Sequence, residues 1–173
     1  TAFGSQTLAG ALTTGANGST AIGMMALNAL TSGVNTAIGK DSQKLITTGT
    51  GNTTIGLRTM DASGVNVNSC TAVGHDALGG VLTNGANGST AIGYQALTTL
   101  TSGSLNTGIG YQNQLVITDG ANNTTMGYGV LGNSSNAGDL SHCVGIGANC
   151  LTGVLSTGAN GTVGVGYSAF QAL

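Results

Sequence analysis

The sequence predicts an all-β chain wound into a parallel β-solenoid, and three observations predict it. The nine residues GANGSTAIG at 15–23 recur unchanged at 85–93 and, altered to GANGTVGVG, at 158–166. A shorter pattern, Thr-small-aliphatic-Gly, occurs ten times, with its glycine at Gly4, Gly23, Gly39, Gly56, Gly74, Gly93, Gly110, Gly127, Gly147 and Gly166. The intervals of 16–20 residues suit one solenoid coil of short strands and turns, whereas helical repeats are longer. Composition agrees. Glycine supplies 32 of 173 residues, Pro and Trp are absent, and every acidic residue is Asp. Such a chain has too few charges for disorder and too few large side chains for a thick core.

Each four-residue pattern reads as a short strand. Period-two alternation puts its first and third residues on one face. Thr20 with Ile22, Thr36 with Ile38, Thr53 with Ile55, and Thr90 with Ile92 are expected to point inward, a ladder that Val144 and Val163 continue as β-branched replacements. The small residue and the glycine are then expected to form a smooth outer face. After each marker glycine, strings such as MMAL, HDAL and YQAL predict a second strand closed by a Thr-Ser-Gly or Thr-Thr-Gly turn. Asn17-Gly18, Asn87-Gly88 and Asn160-Gly161 supply turn residues that tolerate positive φ.

The residue before each pattern runs Ser19, Asn35, Asn52, Cys70, then Ser89, Asn106, Asn123, Cys143, then Thr162. Four coils therefore make one super-repeat of 70–73 residues. The paired asparagines predict stacked amide ladders that satisfy buried turn groups. Residues 1–173 form a single repeat domain that starts and stops inside a super-repeat, with no polar capping coil, as expected of a piece of a longer fibre. Ten coils at ~4.8 Å make a rod about 48 Å long.

Several function classes lose support. A net charge of −2, with Lys40, Lys44 and Arg58 confined to one region, offers no basic stripe for nucleic acid. No apolar run reaches the roughly 20 residues of a membrane span. His75 with Asp76, or Asp139 with Ser141 and His142, could suggest a hydrolytic set, but neighbours on a strand face opposite ways and no nucleophile turn accompanies them. His142, Cys143 and Cys150 are the nearest approach to a metal set, and the recurrent-Asp calcium nonapeptide is absent. The expectation is a non-enzyme without cofactor or metal, whose cysteines pack as small hydrophobes.

The strings NTAIG, GSTAIGYQAL and SLNTGIGYQNQL resemble the head repeats of trimeric autotransporter adhesins, with their Asn-Ser-Val-Ala-Ile-Gly motif. They resemble still more closely the Asn-Thr-Ala-Ile-Gly-Tyr-Gln-Ala-Leu repeats of phage tail fibres. The likeness covers essentially the whole chain and implies a left-handed parallel β-roll in a homotrimer. It also implies an extracellular place, on a cell or virion surface, and a role in attachment. The coils here are longer than the family's, and Thr usually replaces Val.

Recognition is expected on an outer column or a turn. The residue after the marker glycine is Tyr94, Tyr111, Tyr128 and Tyr167 in four coils, which accounts for all the tyrosines. Together with the turn at Asn133, Ser134, Ser135 and Asn136, this column is the candidate contact patch for a surface glycan, a protein receptor or a neighbouring fibre. A self-assembling extracellular filament is the alternative function. An ice-binding solenoid is another, because eight successive coils carry Thr at one column; an inward-facing ladder argues against it.

Overall fold

The computed structural model describes residues 1–10, 12–61, 66–132, 140–153 and 157–171. Each predicted pattern forms a strand: β1 (Ala2–Phe3), β2 (Thr20–Ile22), β3 (Thr36–Ile38), β4 (Thr53–Ile55), β5 (Thr71–Val73), β6 (Thr90–Ile92), β7 (Thr107–Ile109), β8 (Thr124–Met126), β9 (Val144–Ile146) and β10 (Val163–Val165). The ten strands pair in parallel, in chain order, as one sheet. Register follows the repeat, so that Thr20, Thr36, Thr53, Thr71, Thr90 and Thr107 stand in one row and Ile22, Ile38, Ile55, Val73, Ile92 and Ile109 in another. The chain is a β-solenoid.

The marker glycine cannot be replaced, for two physical reasons. At Gly39 φ is +134°, a region that only glycine adopts freely. A Cβ there would also lie 2.1 Å from the carbonyl oxygen of Gly56 in the next coil. Glycine thus stacks on glycine along the rod.

The alternation along each strand is as expected, but its polarity is reversed. The middle residue points in: Ala21, Ala37, Thr54, Ala72, Ala91 and Thr125 are fully buried. The flanking pairs expected inside, Thr20 with Ile22, Thr36 with Ile38, Thr53 with Ile55 and Thr90 with Ile92, stand on the outer face. Ile22, Ile55 and Ile92 are 38%, 41% and 37% exposed. The reason is the width of the coil. Leu27, Leu78, Leu97, Leu131 and Leu151 project from the opposite wall and are buried, and they leave room only for a small residue across from them. At Gly108 a Cβ would already meet Leu97 Cγ at 3.2 Å, and at Gly145 it would meet Val130 Cγ1 at 2.6 Å. An inward Ile would overpack the core.

That opposite wall is a run of turns where a second strand was expected. In every coil the second and fourth residues after the marker glycine take positive φ, as at Met25 (59°) and Leu27 (49°). Left-handed geometry costs an L-residue roughly 1–2 kcal/mol. Bonds along the rod offset it: Met25 N–H donates to Ser5 O at 3.0 Å and Leu27 N–H to Ser42 O at 3.0 Å, while the Leu27 side chain is buried. Where the wall residue is Gln43 or Gln114, the next coil answers with a buried threonine: their Nε2 groups donate to Thr54 Oγ1 at 2.9 Å and Thr125 Oγ1 at 2.7 Å.

The longest shared strings form 3-10 turns at Thr14–Ala16, Asn84–Ala86 and Thr157–Ala159. Gly18 and Gly88 take positive φ (96° and 70°), but Asn17 and Asn87 do not, with φ of −61° and −62°. Asn87 works through its side chain, donating from Nδ2 to Asn84 O at 2.8 Å and accepting from Asn68 N at 2.7 Å.

The four-coil period has its cause in a buried relay. Ser19 Oγ accepts from Asn35 N (3.2 Å), Asn35 Oδ1 from Asn52 N (3.0 Å), and Asn52 Oδ1 from Cys70 N (2.9 Å). Each amide nitrogen also donates across the coil, Asn35 to Gly49 O and Asn52 to Val67 O, both at 2.6 Å. The second super-repeat repeats the scheme through Ser89, Asn106, Asn123 and Cys143. The relay ends at cysteine, where the facing carbonyl belongs to a 3-10 turn: Cys70 Sγ donates to Ala86 O at 3.3 Å. A short thiol meets that turn.

Candidate functional site

Two outward features adjoin on the rod. The first is the sheet face itself. Its threonine column and its aliphatic column are in register over the strands, and most of the exposed large apolar side chains of the described residues belong to this face or to the column beside it. Phe3, Met126, Ile146 and Val165 carry the apolar row to both ends. The hydroxyls of Thr20, Thr36, Thr53, Thr71, Thr90, Thr107 and Thr124 make no hydrogen bond to another described residue. About 48 Å of rod and roughly 15 Å of strand and side chain give a face on the order of 700 Å².

The second feature is the column that follows the marker glycine. Tyr94 and Tyr111 stack with ring centroids 5.0 Å apart and planes 20° apart, and Tyr111 and Tyr128 at 5.6 Å and 17°. His75 meets the Tyr94 ring edge-on at 5.4 Å. All four tyrosines, Tyr167 included, are exposed. Beside them, Gln112 Nε2 donates to Gln95 Oε1 at 3.0 Å, one coil away. Stacking of this kind is worth about 0.5–1.5 kcal/mol per pair beyond burial. The candidate turn at Asn133, Ser134, Ser135 and Asn136 lies outside the described residues, as does Asp139.

His75 and Asp76 come together, contrary to their expected divergence, because they sit on a turn in which Asp76 has φ of +57°. Arg58, one coil earlier, donates from Nε and Nη2 to the two Asp76 carboxylate oxygens at 2.9 Å each, and its Nη2 lies 3.1 Å from His75 Nε2. Lys40 and Lys44 approach Asp41 at 3.9 and 3.6 Å. The Arg58–Asp76 pair joins one coil to the next, whereas the two lysine contacts with Asp41 lie within a single coil, and none of them presents a nucleophile. His142 is exposed while Cys143 and Cys150 are buried free thiols. Burial pushes the Cys70 and Cys150 thiols above their ordinary pKa. Among the described residues no three His, Cys or Asp side chains converge as a metal set.

The outward apolar row was missed in the sequence, although a signal for it exists. The middle strand position never exceeds threonine in size, whereas the third position varies through Phe, Ile, Val and Met. A position restricted to small residues marks the narrow interior. No protein-family model, curated protein or solved structure matches the chain.

Proposed function

We propose that this chain is a structural repeat segment of a surface fibre or adhesin, which associates with copies of itself through the Thr/Ile face and presents its outer column for attachment. The observation that carries this reading is the in-register row of exposed aliphatic side chains on a flat sheet. The aliphatic row and the threonine row beside it together make a face whose area approaches the roughly 800 Å² that each partner buries in a stable interface. A second copy, with the same 4.8 Å spacing, is the partner whose rows match it. The resemblance to adhesin heads and tail-fibre repeats supports a homotrimer or larger assembly, an extracellular place on a cell or virion surface, and a non-enzymatic role. A free extracellular filament would use the same face.

One further reading gains from the reversed polarity. The threonine ladder points outward with its hydroxyls free, so the ice-binding alternative no longer meets the objection that its threonines are inside. The large, uneven aliphatic row beside it (Phe3, Met126 and Val165 among the isoleucines) favours protein contact over a lattice of water. Sedimentation at micromolar concentration, with a thermal-hysteresis measurement on the same sample, tests both. Assembly without hysteresis supports the fibre; a monomer with hysteresis supports the ice-binding face.

A further inference from the structure

The tyrosine ladder is interrupted by a single coil. After Tyr94, Tyr111 and Tyr128, the column continues with Ala148 and then Tyr167. Strands β8, β9 and β10 hold these three coils in register, Thr124 to Val144 to Val163. Bonds at the column itself fix the steps: Asn149 N–H donates to Tyr128 O at 2.8 Å and Ser168 N–H to Ala148 O at 2.9 Å. Two steps of ~4.8 Å place the Tyr128 and Tyr167 rungs about 10 Å apart. A single ring fits between them, about 5 Å from each, which is the separation at which the column's own rings stack. The Ala148 methyl is the floor of this notch. Tyr111 covers one face of Tyr128 and the other is open to the notch; Tyr167 is 79% exposed.

The described residues around the notch, Tyr128, Ala148, Asn149 and Tyr167, are neutral. A neighbouring cavity of about 50 Å³ beside Tyr128 is bordered by Gln112 and Leu115 of the Tyr111 coil, Gly129 and Gly132 of the Tyr128 coil and Asn149 of the Ala148 coil. Gln112 belongs to the Tyr111 coil, two coils from the notch, and its amide is turned away toward Gln95; Asn149, on the Ala148 coil, has a side-chain amide that makes no hydrogen bond to another described residue. We propose that the notch at Ala148 binds a neutral hexopyranose unit of a glycan. The C–H faces of the sugar lie against Tyr128 and Tyr167, and its ring hydroxyls meet the side-chain amide of Asn149. A flat aromatic ring would satisfy the tyrosines and leave the Asn149 amide unpaired, and a charged ligand would find no counter-charge among the described residues around the notch. The site deepens the attachment reading and rests on it for its use, but binding itself does not require copies to assemble.

The chain has no tryptophan and every tyrosine lies in this column, so tyrosine fluorescence reports on the column alone. The test titrates the whole chain with the methyl glycosides of glucose, mannose and galactose, and with dextran, mannan and galactan. Tyrosine emission and saturation-transfer NMR are read together. At least one neutral hexose probe should bind the native chain. Ala148→Tyr completes the ladder and fills the notch, and should lower binding at least ~10-fold with the melting temperature kept or raised. Tyr167→Ser should weaken binding by a similar factor, while Tyr94→Ser, at the far end of the stack, should change it less than ~2-fold. Binding to none of the probes, equal binding by Ala148→Tyr and the native chain, or binding of p-cresol with none of the sugars would each overturn the proposal. Sedimentation of the same samples separates the two readings: a monomer that binds sugar removes self-association and keeps the site, and an assembly that binds none does the reverse.

Discussion

Replacing Asn52 by alanine probes the relay that sets the four-coil period. Asn52 is 1% exposed, and its side chain holds two groups that no other described residue reaches: the Cys70 N–H at 2.9 Å and the Val67 carbonyl at 2.6 Å. Alanine leaves both buried without partners. Each such orphan costs about 1–3 kcal/mol, so the loss should be about 2–6 kcal/mol. Against the 5–15 kcal/mol that holds a typical domain together, this is a large fraction. Asn28→Ala removes one exposed bond, Nδ2 to Gln6 O, and serves as the control, at under about 1 kcal/mol. Urea unfolding followed by circular dichroism gives the difference, and hydrogen exchange of the Cys70 amide locates it. Because stacked coils can unfold in stages, the exchange measurement carries the decision if the transition is broad. An Asn52→Ala chain that loses less than about 0.5 kcal/mol and keeps Cys70 protected would refute the relay as a source of stability.

Gly39→Ala combines a forbidden φ with a Cβ 2.1 Å from Gly56 O and should abolish cooperative folding or cost more than about 3 kcal/mol. Gly161→Ala, at φ +79° with nothing within 4 Å, should cost only about 1 kcal/mol; equal losses at the two sites would show that stacking distance is irrelevant. The three thiols are buried, and burial raises the pKa of Cys70 and Cys150, so a disulfide reagent at pH 8 should label the native chain slowly and reach all three only in guanidinium. Rapid native labelling would contradict the burial.

The repeat architecture was legible because β1 to β10 each run directly into a marker glycine whose chemistry admits no substitute. The facing of the strands was not, because alternation defines two faces and leaves their polarity open. Polarity depended on how far Leu27, Leu78 and Leu97 reach across from a wall built of positive-φ turns, a geometry the Ala-Leu strings do not announce. His75 and Asp76 were expected to diverge for the same reason, having been placed on a strand when they lie on that wall. The relay of Asn35, Asn52, Asn106 and Asn123 was legible as amide ladders, since identical polar residues stacked at one coil position have few other uses in a buried row. The Tyr94, Tyr111 and Tyr128 column was legible from its spacing alone. The notch at Ala148 needed the register to show that one coil separates two rings.

Sedimentation equilibrium at micromolar concentration, run on the native chain and on the Ile55→Lys/Ile92→Lys double variant, tests the central claim most directly. Both residues are outward and more than a third exposed, so the lysines reach water and leave each coil intact, yet they place charge in the middle of the Thr/Ile face. The predicted result is a native trimer or larger assembly and a monomeric variant with unchanged circular dichroism. A native chain that sediments as a monomer, or a variant that assembles as the native chain does, would contradict the assignment of this face to self-association.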